Sequence, residues 1–79
     1  MTTPKTLRKH VQHAIRHYLE DMGVTEPEDL YRRLLDQVEP PLIRETLRHT
    51  AGNQSRAARI LGITRNTLRD KMRRHDIDS

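Results

Sequence analysis

The chain contains no cysteine, no tryptophan and no phenylalanine, and only two tyrosines among its 79 residues. The missing cysteine excludes a disulfide framework and suits a reducing compartment. The missing large aromatics remove the side chains that bury most area per residue. A chain this short lies near the size below which one apolar core barely offsets conformational entropy. Association with a second copy is the stabiliser that remains, and a two-fold homodimer is its commonest form. Three glycines and four prolines are too few for a linker-rich or disordered chain. No apolar run approaches the ~20 residues of a membrane span, and no signal-peptide pattern opens the chain. These absences predict one small, soluble, cytoplasmic domain with no membrane partner.

What is present is charge, and its distribution says more than the net value of +4. Residues 21 to 47 hold seven acids against three bases, whereas residues 48 to 79 hold eight bases against three acids. A basic pole on a mildly acidic body suits a polyanion contacted at one end. A charge run is also what any solvated helix face looks like, so spacing has to discriminate.

The spacing predicts an all-α chain. Leu7, Val11, Ala14, Ile15, Tyr18 and Met22 form one stripe at helical period, giving a first helix from about Pro4 to Met22. Thr3 suits its cap, Pro4 its first turn and Gly23 the left-handed residue that ends it. Thr25-Glu26-Pro27-Glu28 reads as a capping box opening a second helix. Its wide apolar face comprises Leu30, Tyr31, Leu34, Leu35, Val38, Leu42, Ile43 and Leu47. Pro40-Pro41 interrupts it, but the spacing continues on both sides, which favours one kinked helix over two. Ala51-Gly52 ends it. So much aliphatic surface on two long helices suggests a partner chain as well as an internal core.

The stretch from Gly52 to Arg74 has the skeleton of a helix-turn-helix. Asn53 caps a short helix from Gln54 to Leu61, in which Ala57 and Ala58 are small enough for a close crossing. Gly62 supplies the positive φ of a sharp turn, Ile63 plugs it, and Thr64 caps the next helix. Leu68 and Met72 lie four apart and face inward, which leaves Asn66, Arg69, Asp70 and Arg73 on the outward arc, with Arg65 and Arg74 at its edges. An arginine at the start of a recognition helix can pair with both O6 and N7 of guanine. Arg65 is the best candidate, followed one turn later by Arg69. Asn53, Ser55, Arg56 and Thr67 sit where hydrogen bonds to phosphate fix the docking register. Lys71, Arg73 and Arg74 read as non-specific phosphate contacts. With the cap Thr64 and the outward Asn66, these eleven residues are the candidate DNA contacts. Asp70 is open to three roles: orienting Arg73 or Arg74, accepting from a cytosine amine, or repelling phosphate.

From about Lys5 to Ile77, the chain resembles the Fis (factor for inversion stimulation) family of bacterial nucleoid proteins. The resemblance rests on LYRRLLDQVEPPLI around the prolines and on GNQSRAARILGITRNTLR across the helix-turn-helix. It implies four helices per protomer and an intertwined homodimer. Residues 1–50 would dimerise, and residues 51–79 would form the DNA-binding unit. It further implies paired recognition helices set too close for straight B-DNA, so that binding bends the duplex and specificity is largely indirect. Carried over, Arg65 meets a guanine edge and Arg69 lies close to bases and backbone. Asn53, Ser55, Arg56 and Thr67 hold phosphates, and Arg73 and Arg74 serve the flanks. The chain departs from the family in having Thr64 for Asn and Asp70 for Lys, both bearing on base preference and affinity. Ala51 replaces an Arg that reaches flanking DNA or RNA polymerase, which bears on flank wrapping and activation.

Other readings compete. The same module closes nitrogen-regulator-type activators, but the stretch from Met1 to Ser79 has no room for their receiver and ATPase domains. A helical protein-interaction module is a third reading, against which the helix-turn-helix spacing argues. An enzyme is the weakest. His10, His13 and His17 share a face, and His13 and His17 have metal-ligand spacing, but no cysteine or clustered carboxylate completes a site. A solvated or dimer-edge face is favoured there, with no metal and no cofactor. Met1 stands only a few residues before the first helix, leaving no room for the β-hairpin arm that stimulates DNA invertases in the family. No invertase stimulation is expected; recombination of an invertible DNA segment that rises on adding the protein would overturn this.

Overall fold

The computed structural model describes residues 4–21 and 28–78. Among them are four helices and no strand: α1 (Pro4–Asp21), α2 (Leu30–His49), α3 (Gln54–Leu61) and α4 (Arg65–Arg74). The Thr3 cap, Met22, Gly23 and the Thr25-Glu26-Pro27 part of the capping box lie outside the described residues. The chain divides into two compact units, Met1–Leu30 and Tyr31–Ser79. The functional segments read at 1–50 and 51–79 do not coincide with these packing units.

In the first unit α1 is amphipathic but covers little of its apolar face. Leu7, Val11 and Leu19 are exposed, Ile15 and Tyr18 are half-buried, and no described side chain of α1 is buried.

The second helix begins later than the capping box suggests. Glu28 and Asp29 form a bend, and Asp29 takes a left-handed φ of 57°. An L-residue in that conformation cannot continue a right-handed helix, and aspartate is among the few that tolerate it. From Leu30 the helix runs unbroken through Pro40 and Pro41 to His49. The two rings remove the amides that would reach the carbonyls of Asp36 and Gln37, a cost of about 3 kcal/mol or more for an interior proline. The helix persists because it is held on both sides. Beyond the prolines Ile43 and Leu47 are buried, and before them Asp36 and Glu39 are tied to α4.

The core of the second unit is small. It consists of Ile43 and Leu47 from α2, Ala57 and Ala58 from α3, Leu68 and Met72 from α4, and Ile77 beyond it. Leu61 and Ile63 pack against its edge. The alanines are 0% and 3% exposed, which places the α3 backbone close to its neighbours where a larger side chain would hold it off. Leu34 and Leu35 are half-buried, whereas Tyr31, Val38 and Leu42 stay exposed on α2. Only part of its wide apolar face is therefore used within the unit.

Three helices end in the same hydrogen-bond pattern. After α2, the Gly52 N–H donates to Leu47 O (2.8 Å) and the Ala51 N–H to Arg48 O (3.2 Å). After α3, the Ile63 N–H donates to Ala58 O (3.0 Å) and the Gly62 N–H to Arg59 O (3.2 Å). After α4, the Ile77 N–H donates to Met72 O (2.8 Å) and the Asp76 N–H to Arg73 O (3.2 Å). These paired bonds satisfy last-turn carbonyls and turn the chain back over the helix end, carrying Ile63 and Ile77 into the core region. The pattern needs a left-handed residue, supplied by Ala51 (φ 54°), Gly62 (76°) and Asp76 (55°). Between α2 and α3, the buried Thr50 hydroxyl lies 3.2 Å from Leu47 O and 3.1 Å from Asn53 O, joining one helix end to the next cap.

Ala51 occupies a conformation that costs an L-residue roughly 1–2 kcal/mol and costs glycine nothing, although glycine also gains unfolded-state entropy. Ala51→Gly is expected to stabilise the fold by about 0.5–1 kcal/mol, read as a higher midpoint in urea; an unchanged or lower midpoint would contradict the strain.

Candidate nucleic-acid interface

The two ends of the turn are built from local hydrogen bonds that prepare a polar surface. Asn53 sits in extended conformation before α3, and its Oδ1 accepts the Arg56 N–H at 3.1 Å. That cap uses the amide oxygen and leaves the two side-chain N–H groups as donors, the polarity a phosphate requires. Thr64 repeats the arrangement before α4: its Oγ1 accepts the Thr67 N–H at 3.1 Å, and its hydroxyl donates to Thr67 Oγ1 at 2.9 Å. The Thr67 hydroxyl, serving there as acceptor, keeps its own proton to donate outward. Ser55 and Arg56 are exposed in the first turn of α3.

With Leu68 and Met72 buried, the opposite arc of α4 faces outward. Arg65, Asn66, Thr67, Arg69, Asp70 and Arg73 are all exposed, and Asn66, Arg69, Asp70 and Arg73 line one shallow polar depression. Asp70 forms an ion pair with Arg73 one turn on, the first of the three roles open to it. The pair is exposed, so its intrinsic strength is small and screened by salt. Its consequence is to place the Arg73 guanidinium over the helix face.

Two of the expected cations are turned elsewhere. Lys71 Nζ lies 2.6 Å from Glu39 Oε2 on α2, and Arg74 Nη2 lies 2.9 Å from Asp36 Oδ1 one turn earlier on that helix. His75 joins them, with Nε2 2.9 Å from Glu39 Oε1 and a side chain only 7% exposed. A carboxylate only accepts, so the imidazole nitrogen facing it carries the hydrogen. Glu39 thus takes two donors in a half-covered site, and the His75 hydrogen bond, followed by that of Lys71, lowers its pKa below the ordinary 4.5 against the opposing effect of burial. The candidates therefore divide. Arg65, Asn66, Thr67, Arg69 and Arg73 share an exposed arc with the capped start of α3 nearby in sequence, while Lys71 and Arg74 are paired to α2. Asp36, Glu39, His75 and Thr50 are absent from the reading of the sequence. The one signal pointing to the first two was the acidic character of residues 21 to 47 opposite a basic pole.

His10, His13 and His17 are exposed, and among the described residues no group of three or more His, Cys, Asp or Glu is placed to hold an ion. Among the same residues, no helix is long and apolar enough to cross a membrane.

Because Glu39 has a lowered pKa, its contribution to stability is present above the ordinary carboxylate value and is lost as pH falls through the lowered one. Glu39→Gln is expected to cost about 1.5–3 kcal/mol near neutrality, the range for hydrogen bonds to a charged group. The gap between the two proteins is expected to narrow as pH drops below 4.5 in parallel denaturation curves. A gap that stays constant down to pH ~2 would show that Glu39 acts through packing and not charge.

Residues 34–75 match the family described as bacterial regulatory protein, Fis family. The chain is 46% identical over 76 residues to a Fis-like DNA-binding protein of Xylella fastidiosa, covering 95% of this chain and 84% of that one. It is 41% identical over 71 residues to the DNA-binding protein Fis of Glaesserella parasuis, covering 90% and 72%. To the protein of the same name from Aeromonas hydrophila it is 42% identical over 76 residues, covering 96% and 78%. A turn with Gly62 in the left-handed position, capped by Thr64 and followed by an arginine-bearing outer face, lies inside the matched segment. The chain belongs to the Fis family of bacterial regulatory proteins.

Proposed function

We propose that the protein is a homodimeric DNA-binding and DNA-bending regulator that acts on the bacterial nucleoid through its helix-turn-helix. The observation that carries this reading is the outer face of α4, where Arg65, Asn66, Thr67, Arg69 and Arg73 stand exposed on a helix whose inner side is anchored by Leu68 and Met72. A rigid helix carrying guanidinium groups at its start is suited to the major groove, with Arg65 reading guanine and Arg69 following one turn on. Asn53, Ser55, Arg56 and Thr67 present donors that would hold phosphates on either side. Arg73, kept over the face by Asp70, serves the flank. No step in this function calls for a cofactor.

The dimer is supported by what remains uncovered. Leu7, Val11 and Leu19 of α1 and Tyr31, Val38 and Leu42 of α2 are exposed apolar side chains, whereas seven apolar residues are buried among the described residues. A second copy covering these surfaces would supply burial that 79 residues alone do not. Two recognition helices held by such a scaffold would sit at fixed separation, and a duplex would have to deform to meet both, so that groove width and flexibility contribute to specificity.

Selection of bound duplexes from a random pool, run with the wild-type protein and with Arg65→Ala, tests the reading. The variant is expected to lose about 1–3 kcal/mol of affinity and to flatten base preference at one position in each half-site. An unchanged motif would move recognition to Arg69 or to DNA shape alone. Failure of the wild-type protein to retain any duplex at low salt would remove the DNA-binding reading altogether.

A further inference from the structure

The cations that the basic pole directs away from its outer face are met by carboxylates in a geometry that resembles phosphate binding. Asp36 and Glu39 lie three residues apart on α2, and they are met by Lys71 and Arg74 of α4 and by His75, which caps its end. The contacts run at 2.6, 2.9 and 2.9 Å, the distances of charge-assisted hydrogen bonds. Lys71 and Arg74 stay 34% and 50% exposed, so both are close enough to solvent to swing outward if released. A regulator that must find few sites among many gains nothing from cations that bind every phosphate alike, because such contacts raise specific and non-specific affinity together.

We propose that Asp36 and Glu39 act as internal stand-ins for DNA phosphate, holding Lys71 and Arg74 on the protein and thereby setting the ratio of specific to non-specific binding. The pairing has two effects at once. It fixes α4 against α2 at its C-terminal end, so the exposed arc from Arg65 to Arg73 is presented at one angle. It also removes two cations per subunit from the pool that neutralises phosphate. Asp36 and Glu39 are specificity-determining positioning residues, and Lys71 and Arg74 are bound by them in the DNA complex as in the free protein. This inference rests on the DNA-binding function proposed above, and its test separates the two.

Affinity for a selected duplex and for a random-sequence duplex is measured by fluorescence anisotropy at several KCl concentrations. The proteins compared are wild type, Asp36→Asn/Glu39→Gln, and a control of equal charge change, Glu20→Gln/Glu28→Gln, at two exposed acids of the first packing unit. In the released variant, non-specific affinity is expected to rise about tenfold or more, and the plot of log K against log salt to steepen by about two to four per dimer, close to one unit per freed cation. The specific-to-non-specific ratio falls, and the control reproduces neither change. Lys71→Gln is expected to leave the wild-type slope for the selected duplex unchanged. The proposal is overturned if the released variant keeps the wild-type slope, if the control matches it, or if Lys71→Gln lowers the slope by about two per dimer. Should the double variant not fold, Asp36→Asn alone, at a half-exposed pair, carries the same expectation at half size. Absence of DNA binding by the wild-type protein would fall on the proposed function; wild-type binding with unaltered slopes would fall on this inference alone.

Discussion

Leu68 is fully enclosed, and the arrangement of residues 31–79 follows from what encloses it. Ile43 and Leu47 reach it from α2, Ala57 and Ala58 from α3, and Met72 and Ile77 complete the cluster. Burying one large aliphatic side chain contributes roughly 1.5–3 kcal/mol, a substantial share of the 5–15 kcal/mol by which ordinary domains are stable. With so few buried members, each fixes an orientation as well as an energy. Leu68 and Met72 determine which side of α4 is inside, and so determine that Arg65, Asn66, Arg69 and Arg73 are outside. The recognition surface is the complement of the core.

Electrostatics then sorts the cations that hydrophobicity leaves at the helix edge. Acidic body and basic pole are contiguous, and where α2 passes α4 they neutralise each other through Glu39, Lys71 and His75, with Asp36 and Arg74 one turn away. Glu39 stands immediately before Pro40-Pro41, so the helix segment weakened by two missing amides is also the segment tied to α4. A helix that lacks internal hydrogen bonds is retained where tertiary contacts hold it. Of the outer cations, Arg65 and Arg69 stand exposed, and Arg73 is steered by Asp70.

Local features of the helix-turn-helix were legible because their causes are local. Asn53 and Thr64 cap the helices assigned to them, Gly62 takes the left-handed position, and α3 spans Gln54–Leu61, since each depends on side-chain chemistry within four residues. The start of α2 was not legible in the same way: the Thr25-to-Glu28 pattern suits a cap, yet Asp29 adopts a conformation that delays the helix to Leu30. The end of α2 at Ala51-Gly52 was legible, although alanine there takes the left-handed position that glycine usually fills; the ending at Asp76 was not. Ile77 joins the core only because the chain folds back after α4, which no periodicity records.

The amino-acid sequence by itself determined the all-α class, the position of the turn, the inward pair Leu68 and Met72, and the accumulation of positive charge after residue 48, because helical period, capping and composition act over a few residues. Only the tertiary structure decided which of those charges face outward. A helical arc places Lys71 and Arg74 near the edge of the exposed face, but their direction is set by Glu39 and Asp36, 32 and 38 residues earlier in the chain. Pairing across that separation depends on how α2 and α4 are packed, and packing is a property of the whole unit that no local window contains.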